Sequence, residues 1–243
     1  MLAALSLSLV GLVASVAGLV VQVMPRTFSA AQKQQIVTWE VGKRWRIWSA
    51  GEIFPATIPY RVPGSALGGA ADLTLVAHRI GITRQASCRA ATDRAVARVL
   101  ARHGCLAVLR ATYDDATQSL AVTVGVAVLP SPAAARTAQR ALPSQGGSRP
   151  RPGVRAAPFR RTPVARFGDR QRQLSWERGA GPYLVFATVG YADGRRRVPE
   201  AANGANGYAT AEMLGLERGV GVWVAGHIGT APPPPACPGG PAC

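Results

Sequence analysis

An α+β domain behind one N-terminal transmembrane helix is the fold class this sequence predicts, and three observations predict it. Residues 2–24 carry no charge. Downstream, stretches with strand period and stretches with helix period follow in the order strand, helix, strand, strand, helix, then strands. The chain has 243 residues, 48% of them apolar, enough for one ordinary domain with additions and too apolar for wholesale disorder. The element order resembles a ferredoxin-like βαββαβ arrangement, an antiparallel sheet with helices packed on one face.

Between Leu2 and Met24 the only clearly polar residues are Ser6, Ser8, Ser15 and Gln22. As a helix this stretch reaches roughly 34 Å, enough to cross a hydrocarbon layer of about 30 Å. Ser29-Ala30-Ala31 would pass as a signal-peptidase site, but a cleaved signal wants a shorter apolar run with a base before it. An anchor in the lipid bilayer through residues 2–24 is therefore expected. Gly11 with Ser15 and Ala14 with Gly18 form small-xxx-small pairs, a pattern that common small residues also produce. Arg26, Lys33, Lys43 and Arg44 all follow the span and would favour a cytoplasmic domain. Against them stand four cysteines at positions compatible with pairing, which suit an oxidising compartment. The extracytoplasmic side is the reading adopted.

Ser29 to Trp48 reads as a helix with Trp and basic residues suited to the interfacial zone, and Pro55, Pro59, Pro63 and Gly64 then mark an extended connection. Residues 26–70 are thus expected to be a juxtamembrane helix and linker, with the α+β domain over 71–229. Asp72 to Ile82 alternates as a strand. Asp93 to His103 is a helix, with Val96, Val99 and Leu100 on one face, Thr92 or Asp93 as N-cap, and Gly104 ending it. Cys105–Tyr113 and Ser119–Leu129 form a hairpin through Asp114 to Gln118, adjacent acids of ordinary turn chemistry. The second strand has a small face, Ala121, Thr123, Gly125 and Ala127, that would let a helix lie close. Pro130 to Leu142 enters a helix at Ser131-Pro132. Residues 143–172 form a long irregular Arg- and Pro-rich loop. Strands follow at 173–177 and 183–192. For 208–229 the period fits helix or strand, four glycines weaken the helix, and helix is preferred. Residues 230–243 are a Pro-, Gly- and Cys-rich tail.

Ten helical residues span about 15 Å, a distance that the extended residues between Cys88 and Asp93 can nearly retrace, so a Cys88 to Cys105 bridge is feasible. Cys237 and Cys243 enclose Pro-Gly-Gly-Pro-Ala, which favours closing a small ring. Free thiols are the alternative. Metal binding is disfavoured because neither paired CxxC spacing nor a nearby His accompanies them.

The quoted residues Gln85-Ala86-Ser87-Cys88, Gly104-Cys105, Leu109 to Tyr113, Thr123 to Pro130, Gln173-Leu174-Ser175 and Cys237 to Cys243 resemble those of uncharacterised single-pass membrane proteins of actinobacteria. The resemblance covers most of the chain after the span. It implies an anchored, extracytoplasmic domain and supplies no catalytic residue or cofactor.

No nucleophile elbow, phosphate loop or dinucleotide fingerprint occurs, and His78, His103 and His227 are isolated. No cofactor is expected. The formal charge of +16 comes from 28 basic against 12 acidic residues, and all the bases but Lys33 and Lys43 are Arg. Richness in Arg, Ala, Gly and Pro resembles the codon bias of a GC-rich genome. Arg149, Arg151, Arg155, Arg160, Arg161 and Arg166 are the candidate anion contacts. Phe159 and Phe167 are the only rings among them, which disfavours nucleic acid; on the extracytoplasmic side the partners would be anionic envelope polymers, lipid headgroups or another membrane protein, the alternative being a solvated loop with no dedicated partner. A membrane-anchored binding or interaction module of the cell envelope is the expected role. The competing ones are an envelope enzyme with a site built from scattered residues and, less favoured, a nucleic-acid binder facing the cytoplasm.

Overall fold

In the computed structural model the described residues are 29–64, 69, 71–143, 151–198 and 207–231. The expected span at 2–24, Arg149, and Cys237 and Cys243 lie outside them. The elements are α1 (Ala30–Ile47), α2 (Ala50–Ile53), β1 (Thr57–Val62), β2 (Leu73–Ile82), α3 (Cys88–Ala91), α4 (Arg94–Arg102), β3 (Ala107–Asp114), β4 (Leu120–Val128), α5 (Pro132–Arg140), β5 (Arg172–Ala180), β6 (Tyr183–Tyr191) and α6 (Gly207–Gly229). Residues 38–231 make up one compact unit. The other comprises residues 1–37 and 232–243, of which the described part is Ser29 and the start of α1.

The fold is α+β around one antiparallel sheet of order β1-β2-β3-β4-β6-β5. A ferredoxin-like unit would place a third strand between two strands joined by a helix. The second half does so, because β6 lies between β4 and β5. The first half departs from it: β2 and β3 pair directly and antiparallel across the α3–α4 connection. Strand β1 occupies part of the stretch expected to be an extended connection. It alternates exposed and buried residues, and Pro59, which has no N–H to donate, sits on this edge strand where proline is tolerated.

Helix α6 packs against both edge strands, β1 and β5, as well as β4 and β6, so the sheet curls around it. Its glycines explain why the sequence pattern was ambiguous. A Cβ on Gly215 would lie 2.5 Å from the Arg61 carbonyl oxygen, one on Gly219 2.3 Å from the Tyr60 Cβ, and one on Gly221 2.5 Å from the Trp176 ring. Close approach to the sheet requires them, and it outweighs the helix propensity they sacrifice. The other end of α6 is tied to α1, where Arg44 Nη1 donates to the carbonyls of His227, Ile228 and Thr230; β6 is tied to α1 as well, Tyr183 Oη donating to the Val41 carbonyl at 2.5 Å. A cation at a helix C-terminus is favourably placed for the helix dipole.

Helices therefore cover both faces, not one as expected. β4 is buried along its whole length, which requires cover on each side. On the outer face α3, α4 and α5 enclose a cluster with Val96, Leu100, Val108, Ala127, Ala138, Leu184 and Phe186. The small face of β4 receives a helix only in part. At Gly125 the close neighbour is Val154, whose Cγ2 would be 2.6 Å from an added Cβ.

Val154 belongs to the segment read as an irregular loop. Residues 151–171 form a strap pressed onto the outer face, with Val154, Val164 and Phe167 fully buried. Burying each such side chain contributes about 1.5–3 kcal/mol. Polar pegs hold its backbone: Thr112 Oγ1 donates to the Ala157 carbonyl at 2.8 Å, and the Ala157 amide donates to Thr123 Oγ1 at 3.1 Å.

Candidate anion-binding groove

The site is built where the strap meets α3 and α4. Ser87 caps α3, its hydroxyl accepting from the Ala90 amide at 3.3 Å. Gly104, at φ 74°, ends α4 with a Schellman pair: the Cys105 amide donates to the Leu100 carbonyl and the Gly104 amide to the Ala101 carbonyl. That left-handed turn sends the chain back toward α3. Cys88 and Cys105 are bonded, at a Cα separation of 6.4 Å. The strap is laced to the same corner, the Asp93 amide donating to the Gly153 carbonyl and the Arg155 amide to the Ala91 carbonyl.

A groove of about 800 Å³ results, lined by Arg89, Arg94 and Arg98 from the helices and Arg155 and Asp169 from the strap, with Asp93 between them. Four arginines against two aspartates give this lining a formal charge of +2. Both aspartates are already engaged. Asp93 is the N-cap residue of α4 but makes no side-chain cap. Its two carboxylate oxygens instead accept from Arg172 Nη1 at 2.9 Å each, and one also accepts from the Gly153 amide. Asp169 accepts from Arg155 Nε at 2.8 Å and from the Ala156 amide at 2.9 Å. This bond holds the Arg155 guanidinium above its ordinary range.

Arg172 is the hub beneath the groove, its side chain only 5% exposed. Nε donates to Thr188 Oγ1 at 2.8 Å and Nη2 to Ser175 Oγ at 3.0 Å, so its charge is fully partnered. Arg89, Arg94 and Arg98 are exposed and make no ion pair among the described residues.

The arginines singled out from sequence divide. Arg155 reaches the groove. Arg151 is diverted to Glu177 at 2.6 Å and to the Pro143 carbonyl at 3.0 Å, and burial pushes the Glu177 carboxyl up while Arg151 pulls it down. Arg160, Arg161 and Arg166 are exposed and outside the groove lining. Arg89, Arg94 and Arg98 were not singled out. Their signal was present in the four-residue spacing of Arg94 and Arg98 inside a helix already recognised.

The other polar candidates have structural roles. Asp115 accepts from the Leu120 amide at 2.6 Å and the Thr117 amide at 2.9 Å, stapling the β3–β4 hairpin. His227 Nε2 lies 2.9 Å from the Glu52 carbonyl, with its ring stacked on Trp223. Among the described residues no group of three His, Cys, Asp or Glu could hold a metal ion, and no helix is long and apolar enough to cross a membrane. A second, apolar groove of about 550 Å³ runs between β1 and α6, with Tyr60, Leu214, Val222 and Trp223 in its wall.

Comparison of the chain with protein-family models, with curated proteins and with solved structures finds no match in any of the three.

Proposed function

We propose that the protein is a membrane-anchored binding module of the cell envelope, held in the bilayer through residues 2–24, with its α+β domain on the extracytoplasmic side. Its contact surface is the arginine groove, and its partner is an anionic envelope polymer. The observation that carries this reading is that Arg89, Arg94 and Arg98 line a groove whose carboxylates among the described residues, Asp93 and Asp169, are already bonded to Arg172 and Arg155. Unneutralised guanidiniums raise the local concentration of anions and bind phosphate or carboxylate oxygens through charge-assisted hydrogen bonds. The Cys88–Cys105 bond supports the placement, because such bonds persist in oxidising compartments.

The test is binding of the full chain, in a neutral detergent, to polyphosphate and to neutral dextran, followed by fluorescence anisotropy of the labelled polymer. Polyphosphate is expected to bind and dextran not. Replacing Arg89, Arg94 and Arg98 together by serine is expected to weaken polyphosphate binding at least about tenfold, as loss of charged hydrogen bonds does. Equal affinity of the triple variant would overturn the assignment.

A further inference from the structure

The arginine groove continues past Arg98. A neighbouring hollow of about 570 Å³, between α4 and the end of α5, is lined by Arg98, Ala101, Arg102, Ala141 and Pro143. It shares Arg98 and Ala101 with the first, so the two hollows adjoin along α4. Arg94, Arg98 and Arg102 stand along it at four-residue steps, all exposed. Each step advances ~6 Å and the row spans ~12 Å. Like charges at this spacing oppose one another on a helix, and no carboxylate among the described residues pairs with any of the three.

The row selects a ligand in two ways. A compact anion would engage one or two guanidiniums and leave the rest of the row unused, whereas an extended chain carrying one charge per unit meets all of them. Among the described residues the lining of the two hollows has no aromatic ring, and Ala95, Ala97, Ala101 and Ala141 are among its small side chains. Nucleobases would find no stacking platform there, while sugar or polyol units need none. Guanidinium forks match phosphate oxygens, and a phosphodiester holds a single charge at every link.

We infer that the two hollows act as one trough and bind a linear polymer of polyol or sugar units joined by phosphodiesters, laid along α4 from Arg89 and Arg155 to Arg102. This rests on the anion-binding reading of the groove given above and adds the length and chemistry of the ligand.

The experiment titrates the full chain in neutral detergent with poly(glycerol phosphate) of two, four and eight units at several NaCl concentrations. Inorganic phosphate, an eight-residue oligothymidylate and phosphatidylglycerol vesicles serve as separate arms. Affinity is expected to rise at least about tenfold from two units to eight. The slope of log K against log salt is expected to lie near −2 to −3 for the longer chains, at roughly −0.7 per phosphate neutralised. Arg98→Ala should flatten that slope by about 0.7, and Arg161→Ala should leave it unchanged. Arg98 is exposed, and unchanged thermal melting of its variant, together with partial recovery in Arg98→Lys, separates lost contact from lost fold. Inorganic phosphate binding as tightly as the eight-unit chain, with a slope near −1, would overturn the polymer and leave the anion groove standing. Oligothymidylate or vesicles binding through Arg98 while poly(glycerol phosphate) does not would overturn it in favour of those ligands. Binding of no anionic probe at all would remove both readings.

Discussion

The strap and α4 carry the same residue type at similar density, and only the strap has some of it paired with acids. On the strap, Arg160, Arg161, Arg166 and Arg170 stay exposed without an ion pair among the described residues, whereas the two arginines nearest its start are held by acids. Arg155 has Asp169, Arg151 has Glu177, and Arg172, just beyond the strap, closes on Asp93. On α4, Arg94, Arg98 and Arg102 have no acid three or four residues away in the chain, and none among the described residues pairs with them. Partnered arginines stitch an irregular segment to the outer face of the sheet. Unpartnered ones leave a field in solution. Charge density along the sequence therefore does not locate the surface charge; the placement of the few aspartates and glutamates does.

Removing Arg172 breaks this contrast most severely. Arg172→Met would leave Asp93 without its bidentate partner and the strap without its hub, costing about 4 kcal/mol of stability in urea unfolding. The freed Asp93 would face Arg94 and Arg89, so anion binding should fall even where the variant stays folded. Replacing Cys88 and Cys105 by alanine sharpens the contrast from the other side, since Cys88 precedes Arg89 and closes a loop of sequence separation 17. A cost of about 3 kcal/mol is expected by the chain-entropy estimate. Thermal melting of the oxidised and reduced wild type would show the same difference.

Glu217 is the opposite case, an ionisable group that is buried instead of exposed and has no ion pair among the described residues. It sits on α6 at 2% exposure, its Oε1 without a hydrogen-bond partner among the described residues. Burial pushes its carboxyl up from 4.5 to about 8, with Glu177 adding to the shift and Arg218 and Arg172 opposing it. Below pH 4.5 the group is protonated in both folded and unfolded chains and costs nothing. Between pH 4.5 and about 8 the unfolded chain releases the proton while the folded one keeps it, so stability falls across that window and levels off above it. Glu217→Gln should flatten the profile and gain roughly 2 kcal/mol at pH 8, less than the full shift implies because relaxation and water entry ease the buried charge. A pH series of urea midpoints for both proteins checks it.

Much of the outer layer was legible in the sequence because local signals agreed with the fold. Gly104 marks the end of α4, Ser131-Pro132 starts α5, the Asp114–Gln118 turn joins β3 to β4, and Cys88 and Cys105 pair as their spacing allows. What was hidden depended on contacts distant in the chain. Pro59 masks β1, whose strand character comes from its pairing with β2 and its packing on α6. Val154, Val164 and Phe167 are scattered among prolines and arginines with no period, so their burial is set by the sheet surface they meet. The groove was hidden for a related reason. Arg155 stood out in a basic run, whereas Arg94 and Arg98 lie in a helix marked in the sequence only by its apolar face, and the strap supplies the opposite wall.

The most direct test of the account compares two double variants that lose the same charge. Arg94→Ala with Arg98→Ala strips the trough, and Arg160→Ala with Arg161→Ala strips exposed arginines outside it. Titration of the full chain with an eight-unit poly(glycerol phosphate) at fixed salt should show the first weakened about tenfold or more and the second within about twofold of wild type. Equal losses in the two would mean that net charge alone, and not the arrangement along α4, attracts the polymer, and would contradict the account.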